Sequence, residues 1–273
     1  MVEPRWAPES NTTTTTYAGS TAMHRLPSPL RADWAQLTRL TEPEQLFEPG
    51  MVDHLPAPAR RWLRHAIAAG TPLRRAVVLG QHGMIRLGSW RRFQAVQALA
   101  PLEGFIWVVT TRLFGLPVHG FDRYRAGTGE MRHRLLGRFT VMSATGPDVS
   151  RSAAARHTSE MIWVPAAALA PQVGWRAIDD VHVTALVPCD GRTYEPTLTV
   201  SASGAVEKVT VPRWTNVGNT PWHEETFTAV LGPERAVGGY TVPAEATAGW
   251  GFGTARWADG GFIKQTIDTA SYR

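Results

Sequence analysis

The stretch FIWVVTTRLFGLPVHGFDRYR, residues 105–125, decides how the chain folds. It is rich in β-branched and aromatic residues, is interrupted by Gly and Pro, and shows almost no helical periodicity. Two strands follow from it, Phe105–Leu113 and Val118–Arg125. Along the second, strict alternation puts Asp122 and Tyr124 on one face and Arg123 on the other. The same texture extends outward in both directions, giving Arg75–Leu79, Met84–Leu87 and Phe93–Leu99 before it and Met131–Leu136 and Phe139–Ala144 after it. Further along, Asp190-Gly191, Ser203-Gly204 and Asp259-Gly260 each separate two strand-like runs and read as hairpin turns.

Helical spacing is confined to a few places. Ser28-Pro29 offers a cap and a first-turn proline to a helix carrying Leu30, Trp34 and Leu37. Ala57–Ala69 places Trp62, Leu63 and Ile67 on one side and arginines on the other, with Gly70 as its stop. A third helix, residues 147–163, is inserted between two groups of strands. The division that results is a disordered Thr-rich tail over residues 1–27, N-terminal helices over 28–72, and a β domain over 73–273. The fold class is mainly β (α+β): a curved antiparallel half-open β-barrel with short N-terminal helices and the inserted helix as a lid. A flat sheet of so many strands would leave an apolar face uncovered. Eleven Trp and nine Phe exceed what the few helix faces can bury, so they either fill the core or line a cavity for an apolar ligand.

Composition narrows the function classes. The net charge is +5, carried almost wholly by arginine, since Lys208 and Lys264 are the only lysines. Residues 54–102 hold no acid and eight arginines. They form neither a basic helix face nor a recognised module with stacking aromatics, so nucleic acid is not the expected partner. A single cysteine, Cys189, excludes an internal disulfide and a cysteine metal cluster. The longest near-apolar run, Met161 to Pro171, is far short of the ~20 residues of a membrane helix, so no transmembrane segment is expected. The N-terminal tail lacks a basic start followed by an apolar run, and a cytoplasmic location is the expectation.

Phosphate-loop, zinc-helix and nucleophile-elbow motifs are all missing from the sequence. His223 and Glu225 would share a strand face, but two ligands do not make a metal site, and no metal or other cofactor is expected. The inserted helix is more informative. Val149, Ala153, His157 and Glu160 follow helical spacing and read as one stripe, which brings an acid and an imidazole toward the apolar side. Glu160 and His157, with Asp122 and Tyr124 from the strand, are therefore the candidate catalytic groups. The alternative for Glu160 is an ion pair with an arginine such as Arg156.

Several motifs carry a likeness as a set: Leu55-Pro-Ala-Pro-Ala-Arg-Arg-Trp-Leu63, Gln81-His-Gly83, Trp90, Phe93-Gln-Ala-Val-Gln97, Gly127-Thr-Gly-Glu-Met131, Ser159-Glu-Met-Ile-Trp-Val-Pro165 and Trp175-Arg-Ala-Ile-Asp-Asp180. With them the chain resembles, over nearly all of residues 50–273, a widespread bacterial family known only as a domain of unknown function. The likeness continues more weakly through Arg213, Trp222, Tyr240 and Trp250. It implies a fold similar to the half-open β-barrel of periplasmic lipoprotein carriers. Trp107, Trp163, Gln97, Arg213 and Tyr240 are expected to contact the ligand. Two functions fit: a cofactor-independent enzyme, a cyclase or isomerase acting on a polyketide-like or terpenoid-like hydrophobic molecule, or a non-catalytic carrier of a lipid-like ligand. The number of ionisable groups near the lumen favours the enzyme.

Overall fold

Strands β1 (Val77–Leu87), β2 (Ser89–Ala100), β3 (Gly104–Leu113), β4 (Leu116–Arg125), β5 (Thr128–Leu135) and β6 (Phe139–Thr145) make an up-and-down meander in which each pairs with the next. The structure is a computed structural model, and it describes residue 26, residues 28–40 and residues 45–273. Arg75–Leu79 and Met84–Leu87 are not two strands, as their intervening glycines suggest, but parts of β1. A Cβ on Gly83 would stand 2.0 Å from the Lys264 carbonyl oxygen, so this glycine marks a close approach of two backbones rather than a break.

The second half supplies β7 (Gly174–Ala177), β8 (His182–Cys189), β9 (Arg192–Tyr194), β10 (Thr197–Val200), β11 (Val206–Thr215), β12 (His223–Leu231), β15 (Glu245–Trp250) and β16 (Gly261–Tyr272). β13 (Glu234–Val237) and β14 (Tyr240–Pro243) form a separate hairpin. The main sheet runs β6-β5-β4-β3-β2-β1-β16-β15-β12-β11-β10-β8-β7, with β9 beside β8. The last strand returns to pair with the first, which joins the two halves, while β6 and β7 stay as free edges. This is a half-open antiparallel barrel.

Two of the expected turns take the expected form. Asp190 and Gly191 have φ of 48° and 74°, the pair of left-handed residues that a two-residue hairpin between right-twisted strands requires. Gly204, with φ of 99°, turns the chain from β10 into β11. Asp259-Gly260 differs: it ends a one-turn helix, Trp257–Gly260, within the longer connection from β15 to β16.

Helix α1 (Ser28–Leu37) lies on the convex face, where Leu30, Trp34 and Leu37 bury against Val78, Ala98, Ile106 and Phe121. The expected tail, residues 1–27, falls outside the described residues apart from Leu26, which is buried in this cluster. Helix α2 (Ala57–Ala66) stops short of Ala69. Ile67 takes an extended conformation and bridges to Tyr240, so tertiary pairing ends the helix before Gly70 does. The arginines of α2 act as ties, Arg61 donating to the carbonyls of Asp180, Val200 and Ser201.

The inserted segment is helix α3 (Pro147–Ser159), followed by 3-10 turns at Glu160–Trp163 and Pro165–Leu169. The α-helix thus ends before the expected Trp163. Pro165 disfavours helical geometry in Val164, and the chain tightens ahead of it. Helix α3 packs on both β5 and β11, from opposite halves of the curved sheet. It comes close to β5 at Gly129, where a Cβ would stand 2.8 Å from Ser150 Cα and 2.9 Å from the Val149 carbonyl oxygen.

Candidate functional site: a covered cavity on the concave face

Antiparallel register aligns Leu79, Gln97, Trp107, Asp122, Met131 and Ala144 in one row across the concave side of β1 to β6. Helix α3 lies over this row. Between them is a cavity of about 410 Å³. Its walls include Phe105, Trp107, Met131, Trp163, Val211, Phe227, Trp250 and Phe262, and its charged groups are Asp122, Arg123, Glu130, Arg156, Glu160 and Arg213, of which Arg123 and Glu130 pair with each other. A broader depression of about 1280 Å³ opens around the β1–β2 hairpin and is lined by polar side chains such as His82, Arg92, Gln94 and Lys264. Trp90 and Phe93 also line that depression, but the concave cavity has the more aromatic wall.

A connected polar network runs along the cavity wall. Trp107 Nε1 donates to Gln81 Oε1 at 2.8 Å, and Gln81 Nε2 donates to Gln97 Oε1 at 3.0 Å. Gln97 Nε2 in turn donates to Glu160 Oε2 at 2.5 Å. Arg156 binds the other Glu160 oxygen at 2.8 Å and Asp122 Oδ2 at 3.2 Å, while Asp122 Oδ1 meets His133 Nε2 at 2.9 Å. The Arg156 guanidinium also lies 4.5 Å from the centre of the Phe105 ring and 5.3 Å from that of Trp107. Each acid therefore uses both oxygens on a partner, and one arginine serves both acids. A buried network of this kind is favourable only when every member is satisfied.

The four candidate catalytic residues separate into two pairs. Asp122 and Glu160 line the cavity, with Arg156 between them. His157 does not line it. At 100° per residue it stands about 80° around the helix from Val149, whereas Arg156 stands only about 20° from it. His157 packs behind α3 against the rings of Phe105 and Tyr124, is 1% exposed, and is pushed down to about pKa 3 by burial and then by the Arg156 charge. Tyr124 shares the concave face with Asp122, as alternation requires, but its hydroxyl is bound to Asp190 and to Cys189 Sγ at the β8–β9 hairpin and does not reach the cavity. Burial raises the Cys189 thiol to about pKa 11, which makes it a poor nucleophile at neutral pH.

Of the expected ligand contacts, Trp107, Trp163 and Arg213 line the cavity. Gln97 stands behind the wall and holds Glu160. Tyr240 is a correction: it is 1% exposed, stacks on Tyr272 at 4.1 Å, donates to the Pro72 carbonyl and accepts from the Arg74 amide. It staples the link after α2 to β14, away from the cavity. Ser152 is absent from the sequence reading and Gln81 enters it only within a motif, not as a site residue, although Gln81 faces the same way as Leu79 along β1. Among the described residues no group of three or more His, Cys, Asp or Glu is placed to hold a metal ion. No helix among them is long and apolar enough to cross a membrane.

A β-rich half-barrel with a helix-covered aromatic cavity is the class that fold and site define. Residues 45–260 match the model of a family of unknown function, DUF6544, and the chain belongs to that family. No curated protein matches the sequence. Among solved structures, a LolA superfamily protein from Nitrosomonas europaea is similar at a TM-score of 0.42 and 9% identity, over 86% of this chain and 94% of that one. A Vibrio parahaemolyticus domain assigned to outer membrane lipoprotein sorting is similar at a TM-score of 0.40 and 8% identity, over 72% of this chain and 85% of that one.

Proposed function

We propose that the protein binds a hydrophobic small molecule in the concave cavity and carries it, with α3 and the turns after it as the cover. The supporting observation is how the cavity's acids are used. Glu160 and Asp122 are both tied to Arg156, and their remaining oxygens go to Gln97 and His133. An acid so engaged stabilises structure, and moving a proton from it would break the network. Around these groups the wall is aromatic and aliphatic, which suits desolvation of an apolar molecule. The volume, about 410 Å³, is of the size that small ligands occupy. A cyclase or isomerase in this cavity would need an acid or base free to meet the substrate, and Asp122 and Glu160 are occupied, as is Glu130 by Arg123 and Arg132.

The direct test is denaturing extraction of the purified protein followed by mass spectrometry. A near-stoichiometric apolar compound, recovered unaltered after incubation with the protein, is the expected result. Conversion of that compound to a product on incubation would replace the carrier reading with an enzymatic one.

A further inference from the structure

Among the described residues, Arg213 is the cavity cation that no carboxylate pairs with directly. It projects from β11, in the other half of the sheet from the row that carries Asp122. Its guanidinium lies 4.8 Å from the centre of the Phe227 ring and 5.7 Å from that of Trp250. Its one hydrogen bond among the described residues goes from Nε to the Ser152 hydroxyl on α3, at 3.2 Å. Among the described residues no carboxylate comes within salt-bridge distance of it. Asp122 and Glu160 are felt only at longer range, and both are already held by Arg156. Arg156 itself repels it.

A guanidinium carries five N–H donors in a planar fork, and four of these, on the two terminal nitrogens, have no acceptor. Those nitrogens are not sealed in the protein interior. In the same wall, Trp250 Nε1 is buried without an acceptor. A cation in such a place is costly unless an anion completes it. Burial and the Arg156 charge push Arg213 down to about pKa 10, so it remains charged at neutral pH.

Resting on the apolar-ligand reading, we infer that the natural ligand is a single-chain carboxylic acid whose head group is bound by the Arg213 fork and whose tail lies among the aromatic residues. One negative charge fits better than two, because among the described residues Arg156 and Arg123 are committed to carboxylates and Arg213 is the cavity cation that is not, while Asp122, Glu130 and Glu160 would repel a dianion. The bidentate match of guanidinium to carboxylate is strong and directional. Phe227 stands beside the Arg213 guanidinium, and the apolar lining that includes Trp163 and Met131 would take the chain.

The test uses dodecanoate, methyl dodecanoate and dodecanol, titrated at pH 7.5 into the full-length protein and into R213M. The methionine keeps the aliphatic stem and removes the charge. Dodecanoate should bind the wild type about 10- to 100-fold more tightly than the ester or the alcohol, the range of a charge-assisted hydrogen bond. In R213M the three should bind alike, at the wild type's affinity for the ester. Ligand-free R213M should melt no lower than wild type, since an unpaired charge has been removed. Equal wild-type affinities for acid and ester, or retained acid preference in R213M, would overturn the head-group assignment and leave the cavity reading standing. Binding of none of the three would overturn both. If R213M fails to fold, the acid-to-ester ratio of the wild type alone decides.

Discussion

The Glu160 carboxylate accepts a 2.5 Å hydrogen bond from the Gln97 side chain, and this contact fastens the segment covering the cavity to the middle of the sheet. Gln97 is 1% exposed and sits on β2, between Leu79 and Trp107 in the cross-strand row. The cover is therefore anchored by a buried polar link as well as by apolar packing.

Replacing Glu160 by Gln tests that anchor. The variant keeps the shape but leaves Arg156 with Asp122 alone, and it sets an amide against the Gln97 amide. Breaking one side of a buried pair should cost about 3 kcal/mol. Chemical denaturation at pH 7 measures this. Unchanged stability would show that the network does not hold the cover.

His157 gives a pH dependence with a definite sign. In the unfolded chain it takes up a proton near pH 6.5, and in the folded protein burial and Arg156 delay this to about pH 3. Between those values the unfolded state binds more protons, so stability is complete above pH 6.5 and falls as the pH is lowered through the window. His157→Phe removes this contribution and keeps a ring between Phe105 and Tyr124. Urea unfolding at a series of pH values should show the wild type losing up to about 1.4 kcal/mol per pH unit more than the variant. Parallel curves would mean that His157 is not held neutral.

Much of the architecture was legible because strand signals are local. The Asp190-Gly191 turn, the alternation of Asp122 and Tyr124, and the helix spacing of Leu30, Trp34 and Leu37 each follow from neighbouring residues. The pairing of β16 with β1 joins opposite ends of the chain, and nothing local encodes it. For the same reason the early end of α2 was not visible, since Ile67 leaves the helix to meet Tyr240. At the site, the four-residue spacing of Arg156 and Glu160 does encode their ion pair. His157 lies off the cavity-facing stripe because i, i+4 and i+8 spacing drifts around a helix of 3.6 residues per turn. Tyr240 was assigned through a family likeness, which carries no information on which way a side chain faces.

Gly129 sets how closely α3 approaches the sheet. In Gly129→Ala the new Cβ would meet Ser150 Cα at 2.8 Å and the Val149 carbonyl oxygen at 2.9 Å, both backbone atoms that cannot swing aside. The start of α3 must then lift from β5, at a cost of about 1–3 kcal/mol. Hydrogen exchange should show faster exchange of the α3 amides while those of β2 and β3 stay protected. Unaltered exchange in α3 would indicate that the helix is not seated on Gly129.

The central claim, that the concave cavity receives an apolar molecule, is tested most directly by titrating a neutral apolar fluorophore, N-phenyl-1-naphthylamine, into the wild type and into Ala248→Phe. Ala248 lies in the cavity wall and is 7% exposed, so a phenyl group there occupies the space the ligand needs. Saturable binding by the wild type, weakened at least ~10-fold in a folded Ala248→Phe protein, is the predicted result. Absence of saturable binding, or equal binding by both proteins, would contradict it.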